Sequence, residues 1–271
     1  MKLVDLTRRL DAADLARLPA AARLGASVLV PNVEHVAPAA QGADVMCSLF
    51  GCTRDDLPGG EGWGDEMLRI SSHLGTHVDA PLHYGSTCEG RPARTVDQIA
   101  LEELWCEGVV LDLRGRVEPG RGIPVDALRA AIDANGAPIG PGTAVLLRTG
   151  QERWTLGDPE FFSYPGMTRA GTLFLAELGA KVLGTDAVGW DRPFGVMRQA
   201  FQETRDPGEI WDGHFAGRER EVFIVQQLAN LAALPVAGFR VGFFPLLLAR
   251  CSAAPARVVA FVEERPPSRS P

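Results

Sequence analysis

Residues 109–150 read VVLDLRGRVEPGRGIPVDALRAAIDANGAPIGPGTAVLLRTG, and their pattern decides the fold class. The runs VVLDL (109–113) and TAVLLRTG (143–150) are short and apolar, and each ends in turn signals, as fully buried strands do. Between them PVDALRAAIDANG (124–136) has helical spacing, with Pro124 near its start and Asn135-Gly136 as its stop. TRAGTLFLAELGAKVLGTDA (168–187) repeats the order: a helix that ends near Gly179, then a strand that runs into Asp186. Strands alternating with helices predict an α/β domain with a layered or barrel-like sheet.

Outward from this centre the signals are mixed. LVDLT (3–7) predicts an opening strand, and DLARLPAAARL (14–24) a helix broken at Pro19. Residues 26–64 are rich in Gly, Pro, Asp and Asn and are expected to be irregular, as a lid or pocket wall. EMLRISSHLGTHVDA (66–80) reads as a strand running into a loop. Residues 191–220, rich in Gly, Arg and Asp, are expected to form a functional loop rather than an ordered element. The apolar segment Leu228–Ala249 carries Asn230, Pro235, Arg240 and Pro245, so it suits a buried strand pair better than a membrane span. PARVVAFVEE (255–264) returns to strand character. We expect one domain over 1–264 and a disordered tail over 265–271.

Composition narrows the partners. With 34 acidic and 27 basic side chains, the net charge is −7, which argues against nucleic acid or an anionic membrane. The N-terminal stretch lacks the long apolar core of a signal peptide, and five cysteines without a CxxC pair suit a reducing compartment. The expected location is the cytoplasm. No dinucleotide fingerprint, phosphate loop or GxSxG elbow is present, so nucleotide chemistry and serine hydrolysis have no support.

Three of the five histidines fall within HLGTHVDAPLH (73–83), with an aspartate between. An HxxxH pair can arise by chance, and a single histidine is usually a satisfied polar group. Three histidines with Asp79, punctuated by Gly75 and Pro81, point instead to a metal. Gly75-Thr76 and Ala80-Pro81 disfavour a helix here. An extended segment puts His77 and Asp79 on one side, and Gly75 lets the backbone fold close around an ion. His73, His77 and Asp79 make a three-ligand set for Zn²⁺ or Mn²⁺ with open positions. His83, four residues past Asp79, could serve as a nearby acid or base.

HLGTHVDAPLH resembles the HxGTHxDxPxH signature of the cyclase family, which includes bacterial kynurenine formamidase and isatin hydrolase. Weaker likenesses follow in order: VDLTRRL, PGTAVLLRTG, LGTDAVGWDRPF, the HFAGREREVFIVQQLANL segment and AAPARVVAFV. The resemblance implies a single-domain α/β fold, a barrel-like or layered mixed β-sheet flanked by helices, assembled as a homodimer or larger homo-oligomer. It implies metal ligation by His73, His77 and Asp79, and proton transfer by His83. His214 matches a further histidine of the family pattern. Twelve positions later the family carries a glutamate that helps hold a second zinc, where this chain has Gln226. A neutral amide is the weaker donor, so the departure favours one divalent metal per chain, Mn or Zn, with Gln226 as an added ligand. The long 190–220 stretch resembles isatin-hydrolase-like members more than the formamidases.

The implied activity is hydrolysis of a small cyclic or aryl amide by metal-activated water, with His83 and His214 as the catalytic histidines. The expected partner is a small, aromatic substrate, bound against Phe50, Trp63, Tyr84, Trp190 and Phe194. Plain core packing is the competing reading of each of these rings. Asp186 is expected to orient a neighbour and Asp191 to serve as a turn residue. Two other functions fit the same residues: a metal-dependent cyclase acting on a polyketide-like chain, and a non-catalytic, metal-stabilised binding protein.

Overall fold

The computed structural model describes residues 1–263; the expected tail, 265–271, lies outside the described residues. Eight strands make the main sheet: β1 (Lys2–Asp5), β2 (His77–Asp79), β3 (Trp105–Asp112), β4 (Thr143–Arg148), β5 (Val182–Thr185), β6 (Phe223–Gln226), β7 (Phe239–Pro245) and β8 (Ala253–Val262). Their order is β1-β8-β7-β3-β4-β5-β6-β2, and β8 also pairs with β2. That last pairing closes seven strands into a ring, with β1 on the same edge of β8 further along. In this sheet the β3-β4-β5-β6 run is parallel, and its other pairings are antiparallel. The expected barrel-like mixed sheet is present.

The continuous apolar runs that identified β3 and β4 follow from burial on both faces. Val110, Ala144, Leu146, Val182, Phe223 and Val225 pack into one core with Val4, Val78, Val241, Phe243 and the alternating Ala254, Ala256, Val258 and Ala260 of β8. Their neighbours Val109, Leu111, Val145, Leu147, Leu183 and Ile224 turn to the opposite face. There they meet Leu128, Ala131 and Leu175. These last belong to two helices: α2 (Val125–Asn135), entered at Pro124 and closed by left-handed Gly136, and α3 (Arg169–Glu177), capped by Thr168 on Gly171. α1 (Ala43–Phe50) comes earlier in the chain, and α4 (Phe194–Thr204) and α5 (Asp212–Phe215) later.

Three expectations require correction. Residues 26–64 are not irregular: they contain α1 and a strand, Asn32–Val36, that pairs with Asp65–Arg69 in a separate ribbon. That ribbon is largely exposed, so no alternating apolar pattern marked it. Residues 191–220 contain α4 and α5 rather than a loop alone. α4 buries only Met197 and ends at a left-handed arginine, Arg205, instead of a glycine, so neither stripe nor stop signal was legible. The segment 228–249 contributes one strand, β7, not a pair, because Asn230 takes a left-handed turn into a short 3₁₀ segment before Pro235. The break at Pro19 falls as expected, although both flanking turns are 3₁₀ rather than α. Among the described residues no helix is long and apolar enough to cross a membrane.

Candidate metal centre

β2 sits between β6 and β8, with His77 opposite Gln226 and Asp79 opposite Ile224. Val78 and Val225 point into the ring core. The strand's period of two therefore turns His77, Asp79 and Gln226 together to the other face. The chain enters β2 through Gly75, whose φ is +60° and whose missing Cβ would lie 2.5 Å from the Leu10 side chain. The left-handed backbone favours glycine there, while the Leu10 tip is the end of a flexible, exposed side chain. After β2, Pro81 starts a 3₁₀ turn that brings His83 back over the strand.

Asp79 is the centre of the arrangement. Its Oδ1 is buried, has no hydrogen-bond partner, and lies 3.3 Å from His77 Nε2 and 3.5 Å from His73 Nε2. Its Oδ2 accepts from Gln226 Nε2 at 2.8 Å, with His214 Nε2 3.6 Å away. His73 Nε2 and His83 Nδ1 are 2.9 Å apart, so they either share one proton or aim two lone pairs at a common cation. Ligand atoms of His73, Asp79 and His83 all lie within 4.8 Å of one another. His77 Nδ1 donates to the Gly75 carbonyl at 2.7 Å, which selects the tautomer whose Nε2 lone pair faces Asp79.

The donor set fits a divalent cation. A fully buried carboxylate with an orphaned oxygen costs several kcal/mol unless a positive charge answers it. Three imidazole nitrogens and that oxygen are the ligand types that Zn²⁺ and Mn²⁺ accept. Burial opposes the Asp79 charge, but His77, His83 and His214 together hold its carboxyl well below the usual range. Burial pushes His83 down to about 4, against the pull of Asp79, so its ring is neutral at pH 7. His73 is also lowered, mainly by burial.

His214 lies on α5, buried, with Nδ1 against Asp191 Oδ2 in a very close contact. Asp191 Oδ1 accepts from the backbone of Gly213 at 2.5 Å and His214 at 3.2 Å, so the carboxylate fixes both the helix turn and the ring. Burial disfavours the charged ring, but Asp191 and Asp79 outweigh it and raise His214 to about 9. Asp191 is therefore the buried partner of His214, not a turn residue. The two are 23 positions apart, and nothing in the sequence joins them. Asp186 accepts from Thr149, Gly150 and Glu152 and so orients the loop after β4.

The structure brings His73, His77, Asp79, His83, His214 and Gln226 together. Gln226 presents its amide nitrogen to Asp79, so ligation through its oxygen requires the amide to turn over. Of the five aromatic candidates only Tyr84 borders the site, its ring 5.6 Å from His214 and 6.0 Å from His83; the other four fall elsewhere. Trp190 is buried and donates to Thr172 at 3.1 Å. Tyr84 is buried behind the site, donating to the Asp79 carbonyl and accepting from Ile224 N–H. Phe50, Trp63 and Phe194 are 65%, 42% and 74% exposed on the surface. A ring outside those five also meets the site: Trp211, stacked on His214 at 4.4 Å and edge-on to His83 at 4.9 Å. Its place three residues before His214 was the one sequence signal for it.

Residues 4–192 match the family model described as "Putative cyclase". Among solved structures, the fold is similar to an isatin hydrolase bound to the product analogue thioisatinate. That pair shares 20% identity over 97% of this chain and 93% of that one, with a TM-score of 0.72. Isatin hydrolase A from Ralstonia solanacearum is similar at 25% identity, 97% and 92% coverage and a TM-score of 0.71. A third neighbour, described as a potential metal-dependent hydrolase with cyclase activity, gives 22%, 97% and 99%, and 0.63.

Proposed function

Because this chain belongs to the cyclase family, we propose that it is a metal-dependent hydrolase that opens a small cyclic or aryl amide. The coarser reading, hydrolase or cyclase, rests on the family; the finer one rests on the site. The observation that carries it is the meeting of a buried, partly unpaired carboxylate, Asp79, with three imidazoles and a separately oriented His214. His73, Asp79 and His77, with His83 in reach, would hold the ion. A divalent cation supplies Lewis-acid polarisation of a carbonyl and makes water more acidic.

The chain's own residues do the remaining work. Asp191 holds His214 by Nδ1 and, with Asp79, keeps the ring charged at pH 7, so its Nε2 proton is the one placed to pass to the leaving nitrogen, while the neutral His83 ring takes the proton from water. Trp211 covers the His214 ring and limits bulk water around it. An aromatic lactam such as isatin is the first substrate to try, since two of the similar structures are isatin hydrolases. Isatin and N-formylkynurenine hydrolysis, followed by absorbance with Mn²⁺- and Zn²⁺-loaded protein, tests this. Turnover of either supports the amide reading. Metal binding with neither turned over contradicts it and favours the cyclase alternative.

His83 is given proton transfer by its family position, yet its geometry also suits ligation. His83→Ala is expected to keep its metal and lose rate by about 10²–10⁴-fold. Metal loss in that variant would make His83 a ligand. Gln226→Glu places a second carboxylate against Asp79 Oδ2, at the 2.8 Å now spanned by a hydrogen bond. Two like charges so close require a proton or a second cation between them. We therefore expect a second divalent ion per chain by elemental analysis. Unchanged stoichiometry would mean the glutamine does not set the metal count.

The proposed assembly is a homodimer or larger. The Asn32–Val36/Asp65–Arg69 ribbon has only two strands, which is marginal alone in water. Met67, Leu68, Val45, Leu49 and Phe50 on the ribbon and α1 are all exposed. Covering them with a second copy removes that apolar surface from water. Light scattering is expected to give at least twice the 29.1 kDa chain mass. A monomer with full activity would contradict it.

A further inference from the structure

α1 ends in a closure that brings two cysteines together. Gly51, with φ +64°, and Cys52 both donate their backbone N–H to the Cys47 carbonyl, Cys52 at 3.1 Å. In this helix ending, the residue past the left-handed glycine folds back onto the last turn, and the two side chains meet, usually as an apolar pair. Here both positions are cysteine. The thiols interact: burial, and after it the Cys52 thiol, push the Cys47 thiol up. Both residues are partly exposed, so small reagents can reach them. The other cysteines differ. Cys88 and Cys106 are buried and donate to the carbonyls of Gly217 and Glu103, and Cys251 has no cysteine partner among the described residues. α1 contributes no residue to the metal centre.

We propose that Cys47 and Cys52 form a reversible dithiol–disulfide site for small disulfide oxidants, of which oxidised glutathione is the probe. One thiol loses its proton to solvent and its sulfur attacks the oxidant, releasing one glutathione thiolate and leaving a mixed disulfide. The second cysteine, also deprotonated, attacks the protein sulfur and releases the second glutathione. The two cysteines are oxidised by two electrons, and the oxidant is reduced to two thiols. Gly51 makes the pairing possible, because only a left-handed turn lets the chain return within so few residues. The product ties the end of α1 to the chain that follows it. The raised Cys47 thiol makes the exchange slow at neutral pH and faster in alkali, since the thiolate is the attacking form.

Trypsin provides a direct test, because residues 24–54, between Arg23 and Arg54, contain both cysteines and no other. The full-length protein is incubated with oxidised glutathione, its free thiols are alkylated, and the digest is weighed without reduction. The expected result is peptide 24–54 unalkylated and lighter by about two hydrogen masses, reverting to two alkylated cysteines after reductant. In Cys47→Ser, Cys52 should retain glutathione as a stable adduct, because the resolving thiol is gone. Two alkylated cysteines in the treated wild type would overturn the proposal. So would a peptide that carries glutathione with no internal bond.

Discussion

Asp79→Asn is expected to lose the metal and, with it, all measurable activity. The substitution is isosteric and keeps an acceptor, but it removes the one buried negative charge that faces His73 and His77 at 3.5 and 3.3 Å. Loss of an outer-shell partner alone costs about 10–100-fold in metal affinity, and a ligand carboxylate should cost more than that. Elemental analysis and the isatin assay, run on the same preparation, check both losses. The fold should survive, because β2 is held by backbone pairing to β6 and β8 on either side. Circular dichroism separates loss of the site from loss of the fold. An Asp79→Asn protein with full metal and full turnover would remove the carboxylate from the account.

Asp191→Asn is expected to keep the metal and lose about 10²–10⁴-fold in rate. Asparagine preserves an oxygen for the Gly213 and His214 backbone donors, so α5 keeps its anchor. The change falls on the ring. A carboxylate accepts the Nδ1 proton of His214, whereas the asparagine NH₂ presents a hydrogen there and favours the opposite tautomer. Without the Asp191 charge the ring is no longer held protonated, and a neutral ring with its one proton on Nε2, the atom turned toward Asp79 and Gln226, is a far weaker acid than the imidazolium. A matched fall in rate and metal content would instead make His214 a ligand. Unchanged rate would make Asp191 purely structural.

These expectations rest on features unequally legible in the sequence. The buried parallel strands and α2 were readable because apolar continuity, Pro124 and Gly136 report directly on burial and helix ends. The His73–His83 cluster was readable because one strand and one turn carry it. The Asp191–His214 pair and Trp211 were not, because tertiary packing alone brings Asp191 to His214 across 23 residues. The aromatic candidates show the same limit. Tyr84 and Trp190 pack in the core and Phe194 faces outward, a distinction that residue type does not contain. Strand–helix alternation and the family resemblance both left a layered or a barrel-like sheet open, because closure depends on β8 reaching β2 across most of the chain, which no local pattern reports.

The central claim is that the Asp79 cluster holds a divalent ion on which hydrolysis depends. The most direct measurement is metal per chain by elemental analysis of the purified protein, before and after chelation, with isatin hydrolysis followed in parallel. The account predicts about one manganese or zinc per chain. Activity should fall with chelation and return when the ion is restored. Isatin hydrolysis that persists in metal-free protein, or a purified chain that binds neither ion, would contradict it.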